Sequence, residues 1–205
     1  MSPAEHLAFL KSRRSRRYYS NADVPLRVVE RILEAGSQAP SGANSQPWQF
    51  VLIPRGPHRQ AIQEMCAVAD LHFHETAPKW LKDWLKHHNV STEKIYFDKA
   101  AWLLAVFSQR DLPYWLPSVW LCIANIINQI EAEDLHTVVY TPTLGKPFCE
   151  LLGVDTSWSC QALLPIGVAD PDEHMQPRPR IPAREKTLIF DDEGIATWEE
   201  FEAEA

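Results

Sequence analysis

The sequence predicts a single α+β domain over residues 1–205, on three observations. Apolar strand patterns alternate with amphipathic helix patterns along most of the chain. Neither a Gly-x-Gly-x-x-Gly turn nor a phosphate-loop lysine motif occurs, and seven glycines in all argue against a nucleotide-binding Rossmann domain. With 45% hydrophobic and 23% charged residues, a chain of this length can bury a sizeable core.

Ser2-Pro3-Ala4-Glu5 has the form of a capping box, and Ala4, Leu7, Ala8 and Leu10 make an apolar stripe, predicting a helix over 3–12. Asp23 and Pro25 open a second helix that ends near Gly36. Trp48 to Pro54, "WQFVLIP", is a strand bounded by prolines, and 57–68 is helical again. Residues 69–98 commit to no core face and carry His72, His74, Trp80, Trp84, His87 and His88, the character of a lid. Ala101 to Ser108 is a fully apolar strand, and 117–133 a helix apolar on most faces. Strands at 136–141 and 161–168 flank a helix at 146–152. From Asp170 the proline-rich tail reads as an extended arm, 170–205, whose last residues, "EEFEAEA", form a frayed acidic end.

Composition narrows the functional classes. No apolar run reaches the ~18 residues of a membrane span. The arginines follow the first helix instead of preceding an apolar segment, so a cytoplasmic protein is expected. Cys66, Cys122, Cys149 and Cys160 have no metal-site spacing and read as buried free thiols; no metal site is predicted. Formal net charge is -7, yet five of the seven residues 11–17 are cationic. Outside that cluster 15 cations face 27 acids, which argues against nucleic acid and for one small anion.

As extended chain, "RRSRR" turns Arg13, Ser15 and Arg17 to one side. Two guanidiniums and a hydroxyl suit a phosphate. "APSGANSQPW", from Ala39 to Trp48, is a rigid polar loop with two prolines, one glycine and the hydrogen-bonding residues Ser41, Asn44, Ser45 and Gln46. Such a loop can line the edge of a flat heterocycle, or serve only as a connection.

Together, "RRSRRYYSNADVP", "APSGANSQPW", "VVYTPTLGKPFCELLG" and "LLPIGVADP" resemble the FMN-binding signature of the nitroreductase superfamily, and most closely its iodotyrosine deiodinase branch. A flavin-cleaving branch is also similar at "NSQPW" but carries an aspartate where this chain has Ser15. The resemblance implies a nitroreductase-like fold, a central, mostly antiparallel sheet flanked by helices, in an intertwined homodimer. It implies FMN, held by Arg13, Arg14, Ser15 and Arg17 at the phosphate and ribityl chain, with Arg16 a solvated cation. Pro40, Ser41, Gly42 and Asn44 would line the isoalloxazine, with Val139 and Tyr140 beside the ring and Arg180 near the phosphate. Thr141 matches the hydroxyl residue that hydrogen-bonds flavin N5. Lys94 and Ala43 fall at substrate positions, but the branch's Glu-x-x-x-Tyr pair is missing after both Glu64 and Glu75.

The resulting expectation is an FMN-dependent NAD(P)H oxidoreductase acting on a small aromatic acceptor, nitroaromatic or quinone. The alternatives are a reductive dehalogenase of halotyrosine or halophenol, and a flavin-binding protein without turnover.

Overall fold

Trp102–Gln109 reads "WLLAVFSQ", and a strand so apolar must be covered on both faces. In the computed structural model, which describes every residue except 89, 174–178, 193 and 205, it is the central strand of a three-stranded antiparallel sheet. Trp48–Pro54 (β1) and Trp158–Ile166 (β3) pair with it (β2) on either side. Alternation splits its side chains between two cores. Leu104 and Val106 pack with Leu26–Ser37 (α2) and Trp115–Ala132 (α6). Leu103, Ala105 and Phe107 pack with Pro57–Thr76 (α3), Tyr96–Lys99 (α5) and Lys146–Leu152 (α7). The predicted α+β arrangement with an antiparallel sheet is therefore observed as helix, sheet and helix layers.

The two helices of the first core touch closely at one point. A Cβ on Gly36 would stand 2.6 Å from Ile126 Cγ1, so only glycine admits this approach. Asn125 Nδ2 donates to the Ala35 carbonyl beside it at 3.2 Å, satisfying a polar group at an otherwise apolar seam.

The second core is pinned by a buried cation. Arg59, 0% exposed, donates to the carbonyls of Ile53, Phe97, Ala100 and Ala101 at 2.6–2.9 Å. Those four oxygens lie at the end of β1, on α5 and at the entry to β2, so one guanidinium joins three elements. Burial pushes its pKa down to about 10, with the Arg55 charge adding to the effect, which leaves it charged at neutral pH.

Pro3–Ser12 (α1) carries the predicted capping box: Glu5 N–H donates to Ser2 Oγ, and Ser2 N–H to Glu5 Oε2 at 2.6 Å. None of its residues is buried. The third helix runs past its predicted end at 68 to Thr76, where Pro78 stops it. Lys79–His87 (α4) follows and buries only Leu85 among the described residues.

The predicted strand at 136–141 is not a strand. His136 bridges Gly167 and Tyr140 bridges Leu163, and between them the position facing Val138 is Pro165. Proline has no N–H to give, so the ladder is reduced to isolated bridges.

The chain forms two compact units, Met1–Glu173 and His174–Ala205. The second holds a 3₁₀ turn at Ala183–Lys186, a hairpin of Leu188–Asp191 (β4) and Gly194–Thr197 (β5), and Trp198–Glu204 (α8). The expected extended arm thus contains a hairpin, and its frayed end is a helix. Thr197 and Glu200 explain the helix: Glu200 Oε2 accepts from Thr197 N–H at 2.7 Å, and Glu200 N–H donates to Thr197 Oγ1. Met175, Gln176 and Arg178 of the proline-rich stretch lie outside the described residues. No described helix is long and apolar enough to cross a membrane.

Candidate active site

The cationic segment lies along the sheet edge beyond residues 136–140. Ser15 forms a parallel bridge with Thr137, and Arg16 N–H donates to the Thr137 carbonyl at 3.1 Å. Buried Tyr19 holds the segment from below, its hydroxyl donating to the Arg16 carbonyl at 2.8 Å. Burial pushes that phenol far above its usual range, so it remains a donor.

The five cations divide differently from the sequence expectation. Arg16 is not a solvated cation: its side chain is one-quarter exposed and pairs with Glu173 at 3.3 Å, while Arg17 N–H donates to the other Glu173 oxygen at 3.4 Å. Alternation accounts for this, because the side facing away from Ser15 meets the chain segment after β3. Arg14 Nη1 turns back onto the carbonyls of Lys11, Ser12 and Arg13, closing the C-terminal end of α1. Arg13 and Arg17 stand two residues to either side of Ser15, Arg13 partly buried and Arg17 exposed.

The loop before β1 is strained. Gly42–Asn44 forms a 3₁₀ turn in which Ala43 and Asn44 have φ of 52° and 53°, and Gln46 follows at 45°. Left-handed backbone costs a non-glycine residue about 1–2 kcal/mol, least for asparagine. Side-chain bonds hold it: Gln46 N–H donates to Ser41 Oγ at 3.0 Å, and Gly42 N–H to Ser118 Oγ at 3.2 Å. Gly42 lies against Tyr114, whose Cβ would be 2.7 Å from an added methyl group, so this glycine is required by close approach. Strain concentrated in one polar loop is a mark of a functional surface.

Thr141 lines a cavity of about 460 Å³ with Trp120, Leu144, Ser159, Cys160 and Gln161. That volume falls in the ~300–1,000 Å³ range of small-molecule sites. Gln161 reaches it through a bulge: Phe107 pairs with Cys160 and Val106 with Ala162, leaving Gln161 unpaired. Its Nε2 donates to the Ser159 carbonyl at 3.2 Å. Gln161 and Trp120 carried no sequence signal, because a bulge is visible only once the strand register is known.

Pro40–Asn44 does not line that cavity. The loop enters β1, whereas Thr141 follows the segment beyond β3, three strand spacings or about 14 Å across the sheet. One chain brings Arg13, Ser15, Arg17, Val139, Tyr140 and Thr141 to one side and leaves Pro40, Ser41, Gly42, Ala43 and Asn44 on the other. Arg180 belongs to the second unit, just before its 3₁₀ turn.

Lys94 occupies a buried polar cluster. Its ammonium pairs with Asp70 Oδ2 at 2.5 Å, donates to the carbonyls of Ser91 and Thr92 at 2.9 and 3.1 Å, and lies 5.0 Å from the Tyr140 ring centre. Tyr140 donates its hydroxyl to Asp70 Oδ1 at 2.7 Å. Burial, then neighbouring Cys66 and Asp70, push the Tyr140 phenol upward, and burial raises the Cys66 thiol to about 12. Burial likewise raises the thiols of Cys122, Cys149 and Cys160, so none of the four is an activated thiolate. Asp70 was missed in the sequence; its spacing of four from Cys66 on α3 places both on one inward face. On α4, Trp80 and Trp84 are 69% and 49% exposed, so they do not pack into this chain's own core.

A family model described as the nitroreductase family matches residues 10–168, spanning the cationic segment, the strained loop, the cavity and the whole sheet. The chain belongs to the nitroreductase family. Among its relatives, an iodotyrosine deiodinase of Thermotoga neapolitana is 29% identical over 88% of this chain and 94% of its own length. Iodotyrosine deiodinase 1 of Mus musculus is 28% identical over 84% of this chain; the chain spans 65% of that longer protein. The fold also matches an oxidized iodotyrosine deiodinase bound to FMN and 3-iodo-L-tyrosine, with a TM-score of 0.78, 28% identity, and 88% and 98% of the two chains covered. A nitroreductase from Sphigopyxis sp. strain HMH, described as FMN- and NADPH-dependent, shares the nitroreductase fold at a TM-score of 0.71 and 24% identity, covering 90% of this chain and 97% of its own.

Proposed function

We propose that the chain is an FMN-dependent reductive dehalogenase of a halophenol or halotyrosine. The observation that carries this reading is the Thr141 cavity, a site lined by neutral residues with Trp120 in its wall, which follows directly on the segment that Ser15 bridges at Thr137. The likeness to iodotyrosine deiodinases over most of the chain supports it.

The residues present fit FMN. Two guanidiniums around a serine hydroxyl, on a backbone tied to Thr137 and Tyr19, form a donor set for a phosphate dianion. Arg13, Ser15 and Arg17 would hold the phosphate, and Thr141 would hydrogen-bond N5 of the ring. Bound FMN would supply the redox chemistry; the chain binds, orients and excludes water. In the overall reaction an aryl halide takes up two electrons and one proton, its carbon–halogen bond breaks, a carbon–hydrogen bond forms, and halide leaves. A reduced nicotinamide is the proposed electron source.

The site is completed by a second copy. The separation of Pro40–Asn44 from Thr141 supports this, as does α1, which buries nothing and exposes Leu7 and Leu10. Light scattering should give twice 23.5 kDa. A monomer that still binds FMN tightly would overturn the assembly.

Nitroaromatic or quinone reduction with NAD(P)H is the second reading, favoured by the exposed Trp80 and Trp84, which suit flat acceptors of many kinds. The purified chain should take up FMN and, once reduced anaerobically, release one halide per flavin reoxidised by an iodophenol. Reoxidation by nitroaromatics without halide release would move the assignment to the second reading. Bound flavin reoxidised by neither would leave a flavin-binding protein without turnover.

A further inference from the structure

We propose that Glu173 is a positioning residue for the flavin phosphate: its carboxylate mounts the backbone of Arg17, and Arg16 cancels the negative charge that this mount brings to an anion site. This rests on the FMN reading above and gives a role to two residues outside the phosphate contacts.

The carboxylate is divided between two donors. One oxygen pairs with Arg16 Nη1 at 3.3 Å, and the other accepts from Arg17 N–H at 3.4 Å. The Glu173 side chain is only 8% exposed and that of Arg16 one-quarter, so water competes weakly for either. Glu173 is itself held on a turn: its N–H donates to the Asp170 carbonyl at 3.1 Å, and Asp172 N–H donates to Asp170 Oδ1 at 3.0 Å. That turn is tied back to the cationic segment. Asp170 N–H donates to the Tyr18 carbonyl and Ser20 N–H to the Val168 carbonyl, both at 3.0 Å, around a bridge between Tyr19 and Ala169. Arg16 N–H is taken by Thr137. The backbone is thus fixed immediately before and after Arg17, and Glu173 fixes the N–H of Arg17 itself.

An arginine that binds phosphate must have its backbone and its side chain ordered, and a backbone fixed in advance removes the first requirement. A bare carboxylate bonded to the Arg17 N–H would oppose an approaching dianion. Arg16 offsets that charge, so the pair adds order without adding net charge.

Two charge-matched double variants separate the roles. Arg16→Met with Glu173→Gln removes both charges but keeps an oxygen that can accept from Arg17 N–H. Arg16→Met with Glu173→Ala removes the oxygen as well. In fluorescence titrations of the flavin-free protein, the first should bind FMN within about threefold of the wild type and the second about tenfold more weakly. Riboflavin, which has no phosphate, should bind the two alike. Arg16→Met alone leaves the carboxylate uncompensated; it should bind FMN about tenfold more weakly at low ionic strength and lose most of that deficit at about 0.5 M salt.

Equal FMN affinity of the two double variants overturns the inference. So does a parallel weakening of riboflavin, which marks a merely structural role, or a deficit in Arg16→Met that salt does not change. If the double variants fail to fold by far-UV circular dichroism, Glu173→Gln alone decides. It keeps the acceptor and leaves Arg16 uncancelled, so FMN should bind at least as tightly as in the wild type at low ionic strength, and weaker binding overturns the inference. The function reading fails separately: FMN bound with these responses but no iodide released from an iodophenol removes dehalogenation and leaves the mount standing. A wild-type chain that takes up no FMN removes both.

Discussion

Arg59→Ala should lower the free energy of unfolding by about 4 kcal/mol, read from the urea midpoint at unchanged slope. Among the described residues the buried guanidinium makes no ion pair, and its charge is met chiefly by four carbonyl dipoles at 2.6–2.9 Å. Removing it withdraws the donor from all four oxygens at once, at the junction of β1, α5 and β2. Arg59→Lys should recover only part of the loss, because one ammonium cannot span the fork that reaches Ile53 on one side and Phe97 on the other. A loss below about 1 kcal/mol for the alanine variant would mean that water replaces the guanidinium and that the pin is dispensable. The same change bears on function, since Arg59 fixes the point where the segment carrying Lys94 returns to the sheet.

The paired change Arg13→Ala and Arg17→Ala should weaken FMN binding by about a hundredfold or more while the fold remains, because each charge-assisted contact contributes roughly 1.5–3 kcal/mol. Equilibrium dialysis against FMN and far-UV circular dichroism check the two parts. The neighbouring arginines supply the contrast. Arg14→Ala should act mainly on the end of α1, where its guanidinium meets three carbonyls. Arg16→Ala should act through Glu173, whose side chain is only 8% exposed and would lose its cationic partner while keeping the Arg17 N–H. Tight FMN binding by the Arg13, Arg17 double variant would remove those two residues from the phosphate site.

Much of the scaffold was legible because its residues carry local signals. The strand at Trp102–Gln109 is apolar at consecutive positions, which only burial on both faces tolerates. Strand β1 has the bounds predicted from its flanking prolines, and helix α7 spans its predicted residues. The segment at 136–141 failed because its own β-branched residues favour a strand, while the obstacle, Pro165, sits on the neighbouring chain segment. Helix α8 was overlooked although Thr197 and Glu200 form a capping signature, since the acidic composition of the tail outweighed it.

The candidate site divides along the same line. The sequence by itself determined a cationic, serine-centred segment and a rigid polar loop, because each is a contiguous run whose chemistry is written in its residue types, while Thr141 stood out only through the family resemblance. Only the tertiary structure decided that Arg16 belongs to Glu173, that a bulge turns Gln161 toward Thr141, and that Asp70 closes on Lys94. Those pairings join residues 24 to 157 positions apart, or depend on a strand register, and their energies come from burial. Charge in a sequence says that a partner is needed; the packed fold selects which one.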